Sequence, residues 1–138
     1  MVERLVANEK VEGSNPFARS IIRSVVIMSD LSKKKCIACD GNTPPFDTTE
    51  IHKYLKKVDG WDVKSEEKKS FYLIKNFSFK NFKQSQVFVN QVCKIAEEEN
   101  HHPDLSFGWG YCKIKIFTHA IKGLAESDFI LAAKIDNI

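Results

Sequence analysis

The sequence predicts a single α+β domain: a four-stranded antiparallel sheet with about three helices packed on one face, in the order α-β-β-α-β-β-α. Three observations predict it. Phe71, Leu73, Phe77 and Phe79 fall on alternate positions, the period of a strand with one buried face, and only Lys75 interrupts them. From about Asn81 to Asn100 the period becomes helical, with Phe82, Val89, Val92, Cys93 and Ala96 recurring at threes and fours and Phe88 and Ile95 widening the stripe. Two short runs, Leu105 to Trp109 and Cys112 to Thr118, then flank Gly108-Trp109-Gly110 and read as a hairpin. Strands joined by such short turns pair antiparallel.

Each remaining element has its own signal. Residues 1–27 hold no sustained period and include Glu12-Gly13-Ser14-Asn15-Pro16. Gly-Ser-Asn-Pro is what the T-arm of a tRNA gene encodes in one frame, so residues 1–27 are expected to be a disordered extension or a mis-called start, with Met28 as the true one. Residues 28–46 form an N-terminal loop segment containing Cys36-Ile37-Ala38-Cys39 and Gly41-Asn42-Thr43-Pro44-Pro45. Within the domain, residues 47–138, Thr48 or Thr49 caps a short helix through Leu55 with Ile51, Tyr54 and Leu55 inward, and Asp59-Gly60 stops it. A strand starts at Trp61, and Glu66-Glu67-Lys68-Lys69 makes a polar turn into the Phe71 run. Gly123 breaks the chain after the second hairpin, and Glu126 to Asp136 is a last helix with Phe129, Ala132, Ala133 and Ile135 inward. One sheet face stays uncovered, and that surface or a strand edge is the expected place of self-association.

Composition excludes several classes. With 138 residues, 43% hydrophobic and 28% charged, the chain has the makeup of one globular domain. A formal charge of +3, with lysines dispersed among acids, argues against a nucleic-acid surface. The longest early apolar run, Ile21 to Met28, is broken by Arg23 and falls short of the roughly 20 residues that cross a bilayer. Four cysteines, with Cys93 and Cys112 in apolar patterns expected to be buried, suit a reducing cytoplasm.

Three of the four histidines fall close together: His101 and His102, before Pro103-Asp104, and His119 in Thr118-His119. Imidazole gives and takes protons near neutral pH, so two separate imidazole sites can protonate one atom of a substrate while deprotonating another. Glu97 lies four residues before His101, which would place carboxylate and ring on one helix face and orient the ring. The antiparallel return of the second hairpin is expected to carry His119 back toward His101 and His102. Three glutamates at the end of the long helix are disfavoured by the helix dipole, an oddity beside paired imidazoles.

These residues resemble a known family. Glu97-x-x-x-His101-His102-Pro103, the aromatic Trp109, Thr118-His119-x-x-x-Gly123-Leu124 and Asp128 are similar to the signature of the pterin-4a-carbinolamine dehydratases, also called 4a-hydroxytetrahydrobiopterin dehydratases. The likeness covers Met28 to Ile138, through Gly60-Trp61 and Phe77-x-Phe79-Lys80-x-Phe82. It implies an α+β homodimer or homotetramer that dehydrates 4a-hydroxytetrahydrobiopterin to quinonoid dihydropterin with no cofactor, the pterin being substrate. It implies a functional link to tetrahydrobiopterin regeneration and an aromatic amino-acid hydroxylase. It also implies His101, His102 and His119 as catalytic imidazoles, with His102 and His119 at opposite ends of the proton traffic. Asn100, Pro103, Thr118 and the backbone near Phe117 and Ala120 would line the pterin pocket, and Asp128 would orient His119 or bind the pterin.

The chain departs from the family pattern at Ala125, where many relatives carry a hydroxyl, a lost N-cap worth ~1 kcal/mol. Asn100 and Phe117 also differ from the usual residues. Other readings of the same residues are a metal site of His101, His102, His119 and Cys112, disfavoured because adjacent histidines rarely both reach one ion, and a non-catalytic oligomeric scaffold or dimerisation cofactor for a partner protein. Cys36 and Cys39 read as a loop pair, since the second half of a closed zinc site is missing.

Overall fold

The structure is a computed structural model and describes residues 31–37 and 41–138. The expectations for residues 1–27, the start at Met28 and the role of Cys39 lie outside the described residues. Residues 33–37 and 41–46 carry neither helix nor strand. From there the order is α1 (Thr48–Leu55), β1 (Asp62–Glu67), β2 (Ser70–Ser78), α2 (Phe82–Glu99), β3 (Asp104–Gly108), β4 (Tyr111–Ile116), a short 3-10 turn (His119–Ile121) and α3 (Glu126–Asp136). The sheet runs β1-β2-β4-β3 with every neighbouring pair antiparallel, which is the α+β arrangement expected.

Local chemistry sets the boundaries. Helix α1 is capped by Asp47, whose side chain accepts from the Glu50 N–H, and not by Thr48 or Thr49. Helix α2 begins at Asn81, which accepts from Gln84 N–H in the same way. It ends at Asn100, whose φ of 51° is left-handed, a conformation that asparagine tolerates better than most residues. The β1–β2 turn places Lys69 at φ 70°, and the β3–β4 turn places Gly110 at φ 80°.

The core lies between the sheet and the helices. Leu73, Cys112, Ile114 and Ile116 supply fully buried positions from the sheet, and Val92 and Phe129 meet them from α2 and α3. Helix α3 is the most enclosed: Phe129, Ile130, Leu131, Ala132, Ala133 and Ile135 are all buried, a wider apolar surface than the stripe expected. A second buried device is polar. Lys75, the interruption in the β2 pattern, makes a 2.8 Å ion pair with Asp136, which also accepts from Trp61 Nε1 at 3.0 Å.

One burial expectation is corrected. Cys93 is exposed, because it sits on the flank of α2 and the buried centre is Ser85, Phe88, Val89, Val92 and Ala96. The uncovered sheet face is mixed, since the register sets Lys64, Asn76, Ser106, Lys113 and Lys115 beside Tyr72, Ile74 and Tyr111 on the side away from the core. Several exposed apolar side chains lie around edge strand β3, where Phe82 stacks on Phe107 with ring centroids 5.8 Å apart, Trp109 follows in the turn and Tyr111 opens β4. Among the described residues no helix is long and apolar enough to cross a membrane.

Candidate active site

One end of the sheet gathers the histidines. Because α2 stops at Glu99 and β3 starts at Asp104, residues 100–103 form a short link beside the end of β4. β4 runs antiparallel to β3, so its C-terminal end returns to the start of β3, with Asp104 opposite Lys115. The chain then passes through Phe117, Thr118 and His119. A tight loop fixes this last stretch: Thr118 N–H donates to Gly123 carbonyl at 2.9 Å, and Lys122 takes a left-handed φ of 53° to close it. Gly123 must be glycine for close approach, because a Cβ there would lie 2.9 Å from Pro45 Cβ.

The result is a cavity of about 370 Å³ lined by Asn100, His101, His102, Pro103, Phe117, Thr118 and His119 from the residues expected. Its size suits a small-molecule pocket. Phe117 and His119 rings sit 4.2 Å apart. Ala120 is not among the lining residues. Four residues line the cavity that sequence reasoning did not assign to it: Cys36, Ile37, Glu99 and Asp104. For Glu99 a signal existed, the acid cluster at a helix end where the dipole disfavours it; for Cys36 and Ile37 none did, because only the tertiary fold brings the N-terminal segment to the rim.

Each of the paired imidazoles has a carboxylate, but the assignment differs from expectation. Glu97 Oε1 lies 2.6 Å from His102 Nε2, not from His101. The reason is Asn100: its left-handed turn ends the helix, His101 N–H closes back on Ala96 carbonyl at 3.0 Å, and the i,i+4 geometry that would pair Glu97 with His101 never forms. Asp128, expected to orient His119 or bind the pterin, reaches His101 instead, with Oδ1 3.0 Å from Nε2. Asp128 is fully buried. Its Oδ2 accepts from Thr118 Oγ1 at 2.8 Å and from Ala125 N–H at 2.8 Å, so the carboxylate takes up the backbone donor at the start of α3 where Ala125 offers no side-chain cap. Oδ1 has no hydrogen-bond partner among the described residues and stands at ion-pair distance from His101.

The metal arrangement weighed from sequence does not assemble. Cys112 is buried in the core, where burial pushes its thiol up to about 12, and it does not line the cavity. Among the described residues no three His, Cys, Asp or Glu side chains converge as ligands.

A four-stranded antiparallel sheet backed by three helices, with an imidazole-lined cavity at the end of the β3–β4 hairpin, defines the class as an α+β domain. The family model of pterin 4 alpha carbinolamine dehydratase matches residues 44–138, and the chain belongs to that family. A protein of Rubrobacter xylanophilus named for pterin-4-alpha-carbinolamine dehydratase is 45% identical over 111 residues, covering 80% of this chain and 100% of its own. One of Rickettsia bellii with the same name is 46% identical over 112 residues, covering 81% of this chain and 96% of its own. Among solved structures, a transcriptional coactivator/pterin dehydratase from Brucella melitensis superposes with a TM-score of 0.60 at 25% identity, covering 67% of this chain and 96% of that one.

Proposed function

We propose that this chain dehydrates 4a-hydroxytetrahydrobiopterin to quinonoid dihydropterin by imidazole general acid–base catalysis, a step in tetrahydrobiopterin regeneration beside an aromatic amino-acid hydroxylase. The observation that carries this reading is the convergence of His101, His102 and His119 on one cavity, two of them each next to a carboxylate. The chemistry asks for two proton carriers. The C4a–O bond breaks with its electron pair going to oxygen, which a general acid protonates so that water leaves; a base removes the N5 proton, whose bonding pair becomes the C4a–N5 double bond. His102, held by Glu97, and His119, beside Phe117, take the opposite ends of that traffic. His101, anchored by Asp128, orients the pterin. Both transfers run through side chains, and the pterin is substrate, so the reading calls on no cofactor.

We place the working form as a homodimer or homotetramer, with the unpaired edge of β3 and its neighbours Phe82, Phe107 and Trp109 meeting a second copy. A second reading, a non-catalytic scaffold for a partner protein, takes support from the double name of the Brucella melitensis relative, a transcriptional coactivator/pterin dehydratase. A scaffold has no use for three imidazoles on one cavity. Stopped-flow dehydration of the parent beside His102→Ala and His119→Ala decides between them: each variant is expected to lose on the order of 10²–10⁴-fold in rate, and unchanged turnover in both would exclude the site.

A further inference from the structure

The segment Lys34–Ile37 has no helix or strand of its own, yet every residue of it is fastened to the domain, and Cys36 and Ile37 reach the rim of the cavity. Lys34 Nζ pairs with Glu126 at 2.7 Å, and Lys35 Nζ donates to the Glu98 carbonyl at 2.7 Å, covering a free acceptor at the end of α2. Cys36 N–H donates to Glu99 Oε1 at 2.8 Å. Ser127 grips Ile37 from both sides, its Oγ accepting from Ile37 N–H at 3.1 Å and donating to the Ile37 carbonyl at 2.9 Å.

Glu99 is the centre of this fastening. Its side chain is only 7% exposed, and burying a carboxylate is costly unless it is well partnered. Lys134 Nζ lies 3.2 Å from Oε2 and Lys35 Nζ 3.5 Å, which leaves Oε1 for the strap's backbone. What this arrangement holds in place is two side chains of the cavity wall, Cys36 and Ile37. Ile37 is 76% exposed, a large apolar side chain at the lip of a pocket whose walls also include Phe117, Pro103 and the imidazoles. A planar heterocycle seated against the imidazoles would cover it.

We propose that Ile37 is a specificity-determining residue that packs on the bound pterin, and that Glu99 is its positioning residue, acting through the Cys36 N–H. The identity of the ligand rests on the dehydratase reading; the strap geometry does not. The family residues of the imidazole site are untouched by the test, which uses the full chain and the variants Ile37→Ser, Ile37→Val, Glu99→Leu and Glu99→Gln. Three quantities are read: steady-state dehydration, the Kd of 7,8-dihydrobiopterin by fluorescence quenching, and the alkylation rate of Cys36 in a Cys39→Ser, Cys93→Ser background.

Ile37→Ser is expected to raise KM and the dihydrobiopterin Kd five- to twenty-fold with kcat within two-fold, and Ile37→Val to stay near the parent. Glu99→Leu should show the same KM shift and speed Cys36 alkylation at least ten-fold, because the thiol leaves its half-buried place against the Ser127 carbonyl. Glu99→Gln keeps an acceptor for the Cys36 N–H and should restore most of both. An unchanged KM and Kd in Ile37→Ser, with the parent active, overturns the ligand contact alone. Unchanged Cys36 alkylation in Glu99→Leu overturns the positioning role. A parent that neither turns over nor binds dihydrobiopterin overturns the dehydratase reading and the ligand contact with it, and the alkylation rates still decide the role of Glu99.

Discussion

The buried carboxylate of Asp128 lies 3.0 Å from His101 Nε2 while its other oxygen holds both Thr118 Oγ1 and the Ala125 N–H at 2.8 Å. One side chain therefore joins the link after α2, the loop after β4 and the first turn of α3. The two histidine-bearing segments of the cavity wall are thereby tied to the helix behind them.

Asp128→Asn tests that junction. The amide keeps the size and one acceptor oxygen for Thr118 and Ala125, but removes the negative charge beside the His101 ring. Dehydration is expected to fall about 10²-fold with binding of dihydrobiopterin weakened less, and with thermal stability lowered by less than ~2 kcal/mol. Asp128→Ala, which strands the Thr118 hydroxyl and the Ala125 N–H, should cost about 2–4 kcal/mol in a denaturant titration.

Glu97→Gln separates orientation from structure. Glu97 and His102 are both well exposed, so the pair adds little to stability, and chemical denaturation should shift by less than ~0.5 kcal/mol. Turnover is expected to drop several-fold, a smaller loss than in His102→Ala.

Lys75→Met exposes the sign of the Asp136 titration. Burial raises the Asp136 carboxyl above its ordinary value, and Lys75 is the chief group opposing that rise. For an acid whose folded pKa is raised, the folded state binds the proton more tightly, so stability is highest below the unfolded value and falls as pH rises through the folded one. Removing Lys75 widens that window. The variant should lose about 3 kcal/mol near neutral pH and recover part of it in acid, as followed by melting curves between pH 4 and 8.

Glu99 behaves with the opposite sign. Burial alone would raise its carboxyl, but the Cys36 N–H and the Lys134 and Lys35 ammonium groups outweigh burial and hold it below the ordinary range. Its contribution is present above the unfolded value and is lost as pH falls through the depressed folded one. Hydrogen exchange should show the Cys36 and Ile37 amides protected near neutral pH and released as pH falls through the depressed folded value, ahead of the β2 and β4 amides.

The three thiols among the described residues should react in a fixed order. Cys93 is exposed and is expected to alkylate first; Cys36, pushed up to about 12 by burial and by Glu99, should follow slowly. Cys112 should react only on global unfolding. Peptide mapping after timed alkylation reads all three.

The elements of this protein were legible in its sequence because their signals are local. Alternation in Phe71, Leu73 and Phe77 marks β2, the three-and-four spacing of Val89, Val92 and Ala96 marks α2, and the turn at Gly110 demands an antiparallel hairpin. That hairpin alone implied that His119 returns toward His101 and His102, and the cavity contains all three. Which carboxylate serves which ring was not legible. Glu97 goes to His102 because one left-handed residue, Asn100, interrupts the helical spacing, and Asp128 goes to His101 because α3 packs its first turn against the link after α2. The seating of Cys36 and Ile37 on the rim was equally hidden, since their partners Glu99 and Ser127 stand 63 and 90 residues away. Periodicity and turn chemistry act over a few residues and can be read along the chain; contacts between distant segments depend on how whole elements pack, and only the folded molecule decides them.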